Sequence, residues 1–149
     1  MTHTITIFKN IKDTDAPFYR EVDFVIDRIR NGKSKELVKK IRKQKNKEER
    51  NQLKRDLPSI CFSGTFSKRA DSSILEHSGL ICLDFDGYKK QTDMLLDKEK
   101  MMKDKYTFSV FISPSGNGLK LLVRIPNDAD NHSKYFTSLE KYHDSEYFD

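Results

Sequence analysis

The sequence contains only two cysteines, Cys61 and Cys82, 21 residues apart and in no CxxC pattern. That argues against a disulfide-stapled fold; each sits in an apolar run, where a buried free thiol is the ordinary outcome. The four histidines, His3, His77, His132 and His143, show no zinc-ligand spacing with them, so no structural zinc is expected. No apolar stretch approaches the ~18 residues that cross a bilayer. Met1-Thr2-His3-Thr4-Ile5-Thr6-Ile7 lacks the basic start and long apolar run of a signal peptide. The expectation is a cytoplasmic protein with no membrane partner. Internal repeats are absent, and the one biased tract is rich in lysine.

What is present suffices for a single domain over residues 1–149. Hydrophobic residues make up 36% and charged residues 34%, and the 16 aromatics keep this polar composition from reading as disorder. The net charge of +5 is uneven. Residues 33–56 carry eleven Lys/Arg against four Asp/Glu, so the rest of the chain is slightly acidic. A basic stripe of this kind attracts polyanions, nucleic acid first; a solvated charged helix is the plainer alternative. Lys39, Lys40, Arg42, Lys43 and Lys45 are its candidate contacts.

Along the chain, residues 4–9 predict a short strand. Asp15 and Pro17 open a helix whose apolar stripe is Phe18, Val22, Val25, Ile26 and Ile29, ending at Asn31-Gly32. Leu37, Val38 and Ile41 anchor the basic element, but residues 42–52 have no apolar side chain, so it projects into solvent as a helix or helical hairpin. Pro58–Ser63 reads as a strand, followed by an irregular connection through Gly64-Thr65-Phe66 and Arg69–Ser73. From residue 79 the order is strand 79–86, helix 92–103, strands 107–112 and 118–125 as a hairpin, and a final helix from Asp130/Asn131. Met94, Leu95, Met101 and Met102 are assigned to the inner face of the middle helix, and His132, Tyr135, Phe136, Leu139 and Tyr142 to one face of the last.

Two stretches carry chemistry. Leu80-Ile81-Cys82-Leu83-Asp84-Phe85-Asp86-Gly87 is an apolar strand ending in two carboxylates one residue apart. Strand periodicity puts Asp84 and Asp86 on one face with Cys82 and Leu80, and Ile81, Leu83 and Phe85 on the other. Two carboxylates so placed repel unless a cation lies between them, and Mg²⁺ or Mn²⁺ is the natural occupant; an ordinary strand-end turn needs no metal. Asp84-Phe85-Asp86-Gly87 also resembles the nucleophile motif of haloacid-dehalogenase-type phosphatases. Tyr88 after the glycine, the long preceding segment and the downstream hairpin depart from that pattern.

The second stretch is Ile112-Ser113-Pro114-Ser115-Gly116-Asn117-Gly118-Leu119-Lys120. Its turn can offer hydroxyls and backbone N–H groups to an anion. Lys120, Leu122 and Arg124 share a strand face beyond it, where Lys120 and Arg124 suit triphosphate or template phosphates. A plain hairpin loop beside exposed cations is the bland reading.

Taken with Ser59-Ile60-Cys61-Phe62-Ser63-Gly64-Thr65-Phe66 and His77-Ser78-Gly79, these stretches resemble the primase-like N-terminal domain of virulence-associated-protein-E-type replication proteins of phages and mobile elements, chiefly of Bacteroidetes. That family is similar to the archaeo-eukaryotic primase (primase-polymerase) superfamily, and the similarity covers roughly residues 55–145. The resemblance implies an α+β fold: an RRM/ferredoxin-like split β-α-β core over residues 58–149, with an N-terminal αβ extension over residues 1–57 and a protruding basic helix. It implies metal-dependent nucleotidyl transfer on a DNA template or primer with nucleoside triphosphates, and a replicative helicase as a further partner. Asp84 and Asp86 would be catalytic metal ligands. Ser113, Ser115, Gly116, Gly118 and Lys120 would bind nucleotide phosphate, with Lys120 where many members have histidine. The superfamily's third acidic residue lies on a strand after the last helix. Here the chain stops at Glu146-Tyr147-Phe148-Asp149, so a core lacking its last strand, weak or inactive as a polymerase, is expected, with Asp149 a terminal residue that nothing holds. A non-catalytic module binding DNA or a helicase is the alternative.

Overall fold

The computed structural model describes residues 2–149. Thr4–Phe8 forms β1, and residues 5–8 are all buried, so both faces of the strand are covered. It is the central strand of a three-stranded antiparallel sheet, between β2 (Phe18–Glu21) and β3 (Ser59–Cys61). The helix expected to open at Asp15 and Pro17 does not start there. Phe18–Glu21 pairs with β1, and the helix, α1, spans Val22–Arg30. All four β2 side chains are exposed, so no buried stripe rewards a helical turn there, while β1 pairs with the backbone groups on the side of β2 that faces it. The helix ends at Asn31, as the Asn-Gly pair predicts.

The basic stretch is a helical hairpin, α2 (Lys35–Lys43) and α3 (Lys47–Lys54), interrupted at residues 44–46. Asn46 restarts the helix by accepting the Glu49 N–H at 3.0 Å. Ile41 is fully buried and anchors α2, with Leu37 and Val38 half-buried beside it in sequence.

Residues 64–77 are not the irregular connection expected. β4 (Gly64–Phe66) and β5 (Ile74–His77) pair antiparallel across a short 3₁₀ turn at Asp71–Ser73. Gly64 permits this, because a Cβ there would stand 2.1 Å from the Glu76 carbonyl oxygen. Thr6 ties the hairpin to β1: its Oγ1 donates to the Gly64 carbonyl at 2.8 Å and accepts the Phe66 N–H at 2.9 Å. These elements, up to Ser78, form one compact unit.

The second unit runs from Gly79 to Asp149. It contains β6 (Leu80–Phe85), α4 (Gln91–Lys103), β7 (Thr107–Ile112), β8 (Leu119–Arg124) and α5 (His132–His143). The strand order is β6-β8-β7, with both pairings antiparallel. The β7–β8 hairpin therefore lays β8 between two strands that α4 connects. One sheet face, with Ile81, Leu83 and Phe85 of β6 and Leu119, Leu121 and Val123 of β8, clusters with Met94 and Met101 of α4. Leu95 and Met102, expected inside, are 46% and 62% exposed. Met94 and Met101 lie seven residues apart on one stripe, and the residue after each is turned about 100° away.

After α5 the chain returns to β6. Phe148 forms an antiparallel bridge with Phe85. The Asp86 N–H donates to the Tyr147 carbonyl at 2.8 Å, and the Asp149 N–H donates to the Asp84 carbonyl at 2.9 Å. Asp149 is therefore held, against the expectation from sequence, by a β-type backbone pairing that spacing alone does not reveal. The protein is mixed α+β, with small antiparallel sheets and five α-helices among the described residues. No helix among them is long and apolar enough to cross a membrane.

Candidate nucleotide and metal site

The β6/β8 register sets Asp84 directly opposite Lys120, and the β7/β8 register sets Phe111 on the other side of Lys120. Directly opposed residues share a sheet face, so Asp84, Lys120 and Phe111 make a row on the face away from Ile81, Leu83 and Phe85. Lys120 Nζ donates to Asp84 Oδ1 at 2.8 Å. Of the ion pairs among the described residues, two join near neighbours on exposed helices, and this one joins two strands. Burial pulls the Lys120 pKa down. The hydrogen bond and charge of Asp84, helped by Cys82 and Asp86, more than offset that, and the net direction is up.

Asp86 follows β6 and is exposed, with Oδ1 accepting the Gly87 N–H at 3.0 Å. The glycine turn comes up against it. A Cβ on Gly118 would lie 2.7 Å from the Phe85 carbonyl oxygen, 2.9 Å from Asp86 Oδ1 and 3.1 Å from Ser113 Oγ. The turn is pinned further by the Tyr88 N–H, which donates to the Asn117 carbonyl at 3.1 Å. The two sequence motifs therefore meet at the end of β6, and glycine at 118 is the condition for the approach.

Inside the turn, the Ser113 N–H donates to the Gly118 carbonyl at 2.9 Å and the Gly116 N–H to the Ser113 carbonyl at 3.0 Å. Ser113 Oγ lies 3.0 Å from Ser115 Oγ, which donates to Asn117 Oδ1 at 2.6 Å. Two of the N–H groups expected to cradle an anion are thus used by the turn itself. An anion here would rely more on the hydroxyls and on Lys120.

Cys82 lies on the same face as Asp84, and burial, reinforced by the Asp84 charge and opposed by Lys120, pushes its thiol up to about 12. It is no nucleophile at neutral pH. Arg124, at the far end of β8, donates to the Thr107 carbonyl at 2.7 Å and stands 5.2 Å from the Phe108 ring. Lys39, Lys40, Arg42, Lys43 and Lys45 belong to the first unit, on α2 and the linker after it, and all are exposed.

The donor set suits a hard cation. Mg²⁺ is typically held by one or two carboxylates and completed by substrate phosphates and water, and Asp84 and Asp86 are two accessible carboxylates with oxygen donors only. Among the described residues no group of three or more His, Cys, Asp or Glu side chains could hold a metal ion, so the pair would need those exogenous oxygens. The Lys120 ammonium already stands beside Asp84 as an internal cation. Sequence reasoning missed two neighbours of the site. Phe111 was legible from the alternation of β7 against Val110 and Ile112; the register position of Asp149 opposite Asp84 was not, because it depends on the chain folding back after α5.

Residues 52–148 match the family described as BT4734-like, N-terminal domain, and the chain belongs to that family. No curated protein and no solved structure matches the chain.

Proposed function

We propose that this member of the BT4734-like N-terminal domain family is a primase-polymerase-type domain for nucleotidyl transfer on DNA, acting in the cytoplasm in the replication of a phage or mobile element. The observation that carries the reading is the convergence of Asp84, Asp86, Lys120 and the Ser113–Gly118 turn at one end of β6. The topology agrees with it. Strand order β6-β8-β7 with α4 as the crossover is the split β-α-β arrangement, and Phe148 pairs antiparallel on the outer edge of β6, where a ferredoxin-like sheet has its fourth strand.

In this reading Asp84 and Asp86 would hold Mg²⁺ or Mn²⁺, which supplies charge neutralisation to the triphosphate when bound. Lys120 and the hydroxyls of Ser113 and Ser115 orient the phosphates, and Gly116 and Gly118 shape the turn. Phe111 offers a ring beside them. Lys39, Lys40, Arg42, Lys43, Lys45 and Arg124 give sequence-independent contacts to DNA phosphates. A replicative helicase is the protein partner this role calls for.

A second reading, a DNA-binding module without catalysis, is favoured by the Lys120–Asp84 ion pair, which neutralises one carboxylate internally. The phosphatase reading asks for a parallel sheet behind Asp84, and both strand pairings of this unit are antiparallel. The deciding experiment is an amide NMR titration with Mn²⁺ and dATP on the wild-type chain and on Asp84→Asn/Asp86→Asn. Broadening confined to residues 82–88 and 113–120, and lost in the variant, is expected. No site-specific broadening, with salt-sensitive DNA affinity intact in the variant, transfers the conclusion to the binding module.

A further inference from the structure

Lys120 meets its partner directly across the sheet. Residues 84 and 120 are directly opposed in the β6/β8 register, and the ammonium donates to Asp84 Oδ1 at 2.8 Å. The Lys120 side chain is 33% exposed and the Asp84 side chain 48%, so the pair borders solvent and remains open to an incoming ligand. Gly118 lies two residues before Lys120, at the end of the turn and just before β8 begins at Leu119. Two residues of extended chain rise roughly 7 Å. The flexible four-carbon stem of lysine can therefore pivot between Asp84 and the mouth of the Ser113–Gly118 turn. Phe111 is opposed to Lys120 on the other side, while Asp84 and Asp86 supply the carboxylates whose charge reaches the ammonium.

We infer that Lys120 is a displaceable internal counter-ion: it holds Asp84 until a divalent cation arrives, and the freed ammonium then engages the phosphates that come with that cation. This rests on the nucleotide and metal reading above and deepens it. A cation approaching Asp84 meets a positive charge already in hydrogen-bond contact with its ligand, so metal alone binds weakly. Metal together with triphosphate binds well, because the displaced ammonium gains new anionic partners instead of losing one. The site then selects for the metal–triphosphate complex over free metal, using one residue for both tasks.

The experiment measures Mn²⁺ binding by electron paramagnetic resonance, with Mn²⁺ alone and with Mn²⁺ plus dATP, on wild type, Lys120→Met and Lys120→Arg. Methionine keeps the apolar stem and removes the charge; arginine keeps the charge, and amide spectra confirm the fold of each. Lys120→Met is expected to bind Mn²⁺ alone about 10-fold more tightly than wild type, and Mn²⁺–dATP about 10-fold less tightly, the lower end of what one hydrogen bond to a charged group contributes. Lys120→Arg is expected to follow wild type with Mn²⁺ alone. Equal affinity of wild type and Lys120→Met for Mn²⁺ alone overturns the counter-ion role while leaving the metal site standing. Absence of Mn²⁺ binding in all three proteins, with or without dATP, overturns both this inference and the reading beneath it.

Discussion

Phe85 and Phe148 are joined twice: their backbones form an antiparallel bridge, and their rings meet edge to face with centroids 5.5 Å apart. Phe148 also meets the Phe136 ring of α5 at 5.2 Å. The last residues of the chain thereby brace the strand end that carries Asp84 and Asp86. Tyr147 adds to the brace by stacking on Tyr88 at 3.9 Å, while the Tyr88 hydroxyl donates to Asp97 at 2.7 Å.

Replacing Phe148 with alanine is expected to lower stability by about 2 kcal/mol, less than for a fully buried ring because Phe148 is half-buried. The more specific sign is local. The Asp86 amide, which donates to Tyr147, should lose most of its hydrogen-exchange protection, while amides in the β7/β8 ladder keep theirs. Unchanged exchange at Asp86 would mean that Phe148 does not hold the strand end.

Thr6→Val tests the first unit. The two side chains have nearly the same shape, but valine leaves the Gly64 carbonyl and the Phe66 N–H without the buried hydroxyl that now serves both. A loss of about 2 kcal/mol in urea unfolding is expected, with Thr6→Ser closer to wild type. A neutral Thr6→Val would show that those two groups find other partners.

The exposed cations of α2 should act on DNA by charge alone. Changing Lys39, Lys40 and Lys43 to glutamine should weaken binding evenly across sequences and flatten the dependence of log K on log salt by roughly 0.7–0.9 for each DNA phosphate that is no longer neutralised. An affinity change that salt does not alter would remove this element from the proposed interface.

His143 carries a pH dependence. Its ring is half-buried, 5.7 Å from the Phe85 ring and 5.1 Å from the Tyr142 ring. Burial lowers its pKa below the usual histidine value, against the opposing pull of the Asp104 carboxylate. The folded state thus binds the proton less readily than the unfolded state. The stabilising contribution is complete above the unfolded value, about 6.5, and is lost as pH falls through the folded value. Urea midpoints should drop between pH 7 and pH 5 by more in wild type than in His143→Gln, and an NMR titration of the ring protons should give a midpoint below 6.5. A midpoint above 6.5 would reverse the sign.

The strands and faces at the site were legible from local pattern. Period-two alternation separated Asp84 from Ile81, Leu83 and Phe85, and Lys120 and Arg124 from Leu121 and Val123, because strand geometry follows from the chain's own chirality and the burial of one face. The gap without apolar residues at 42–52 marked the exposed helical hairpin for the same kind of reason. Phe18–Glu21 misled because its helical spacing is real, while the hydrogen bonds that make it a strand come from β1, more than ten residues away in sequence. Leu95 and Met102 misled because composition names apolar residues but not which stripe of a helix meets the sheet. What local pattern could not contain is register: that Lys120 faces Asp84, that Gly118 touches Asp86, and that Asp149 lies across from Asp84. Composition and periodicity determined which residues could do chemistry. Only the tertiary pairing of distant segments decided which of them stand together, because a register is set by the fit of two strands and belongs to neither alone.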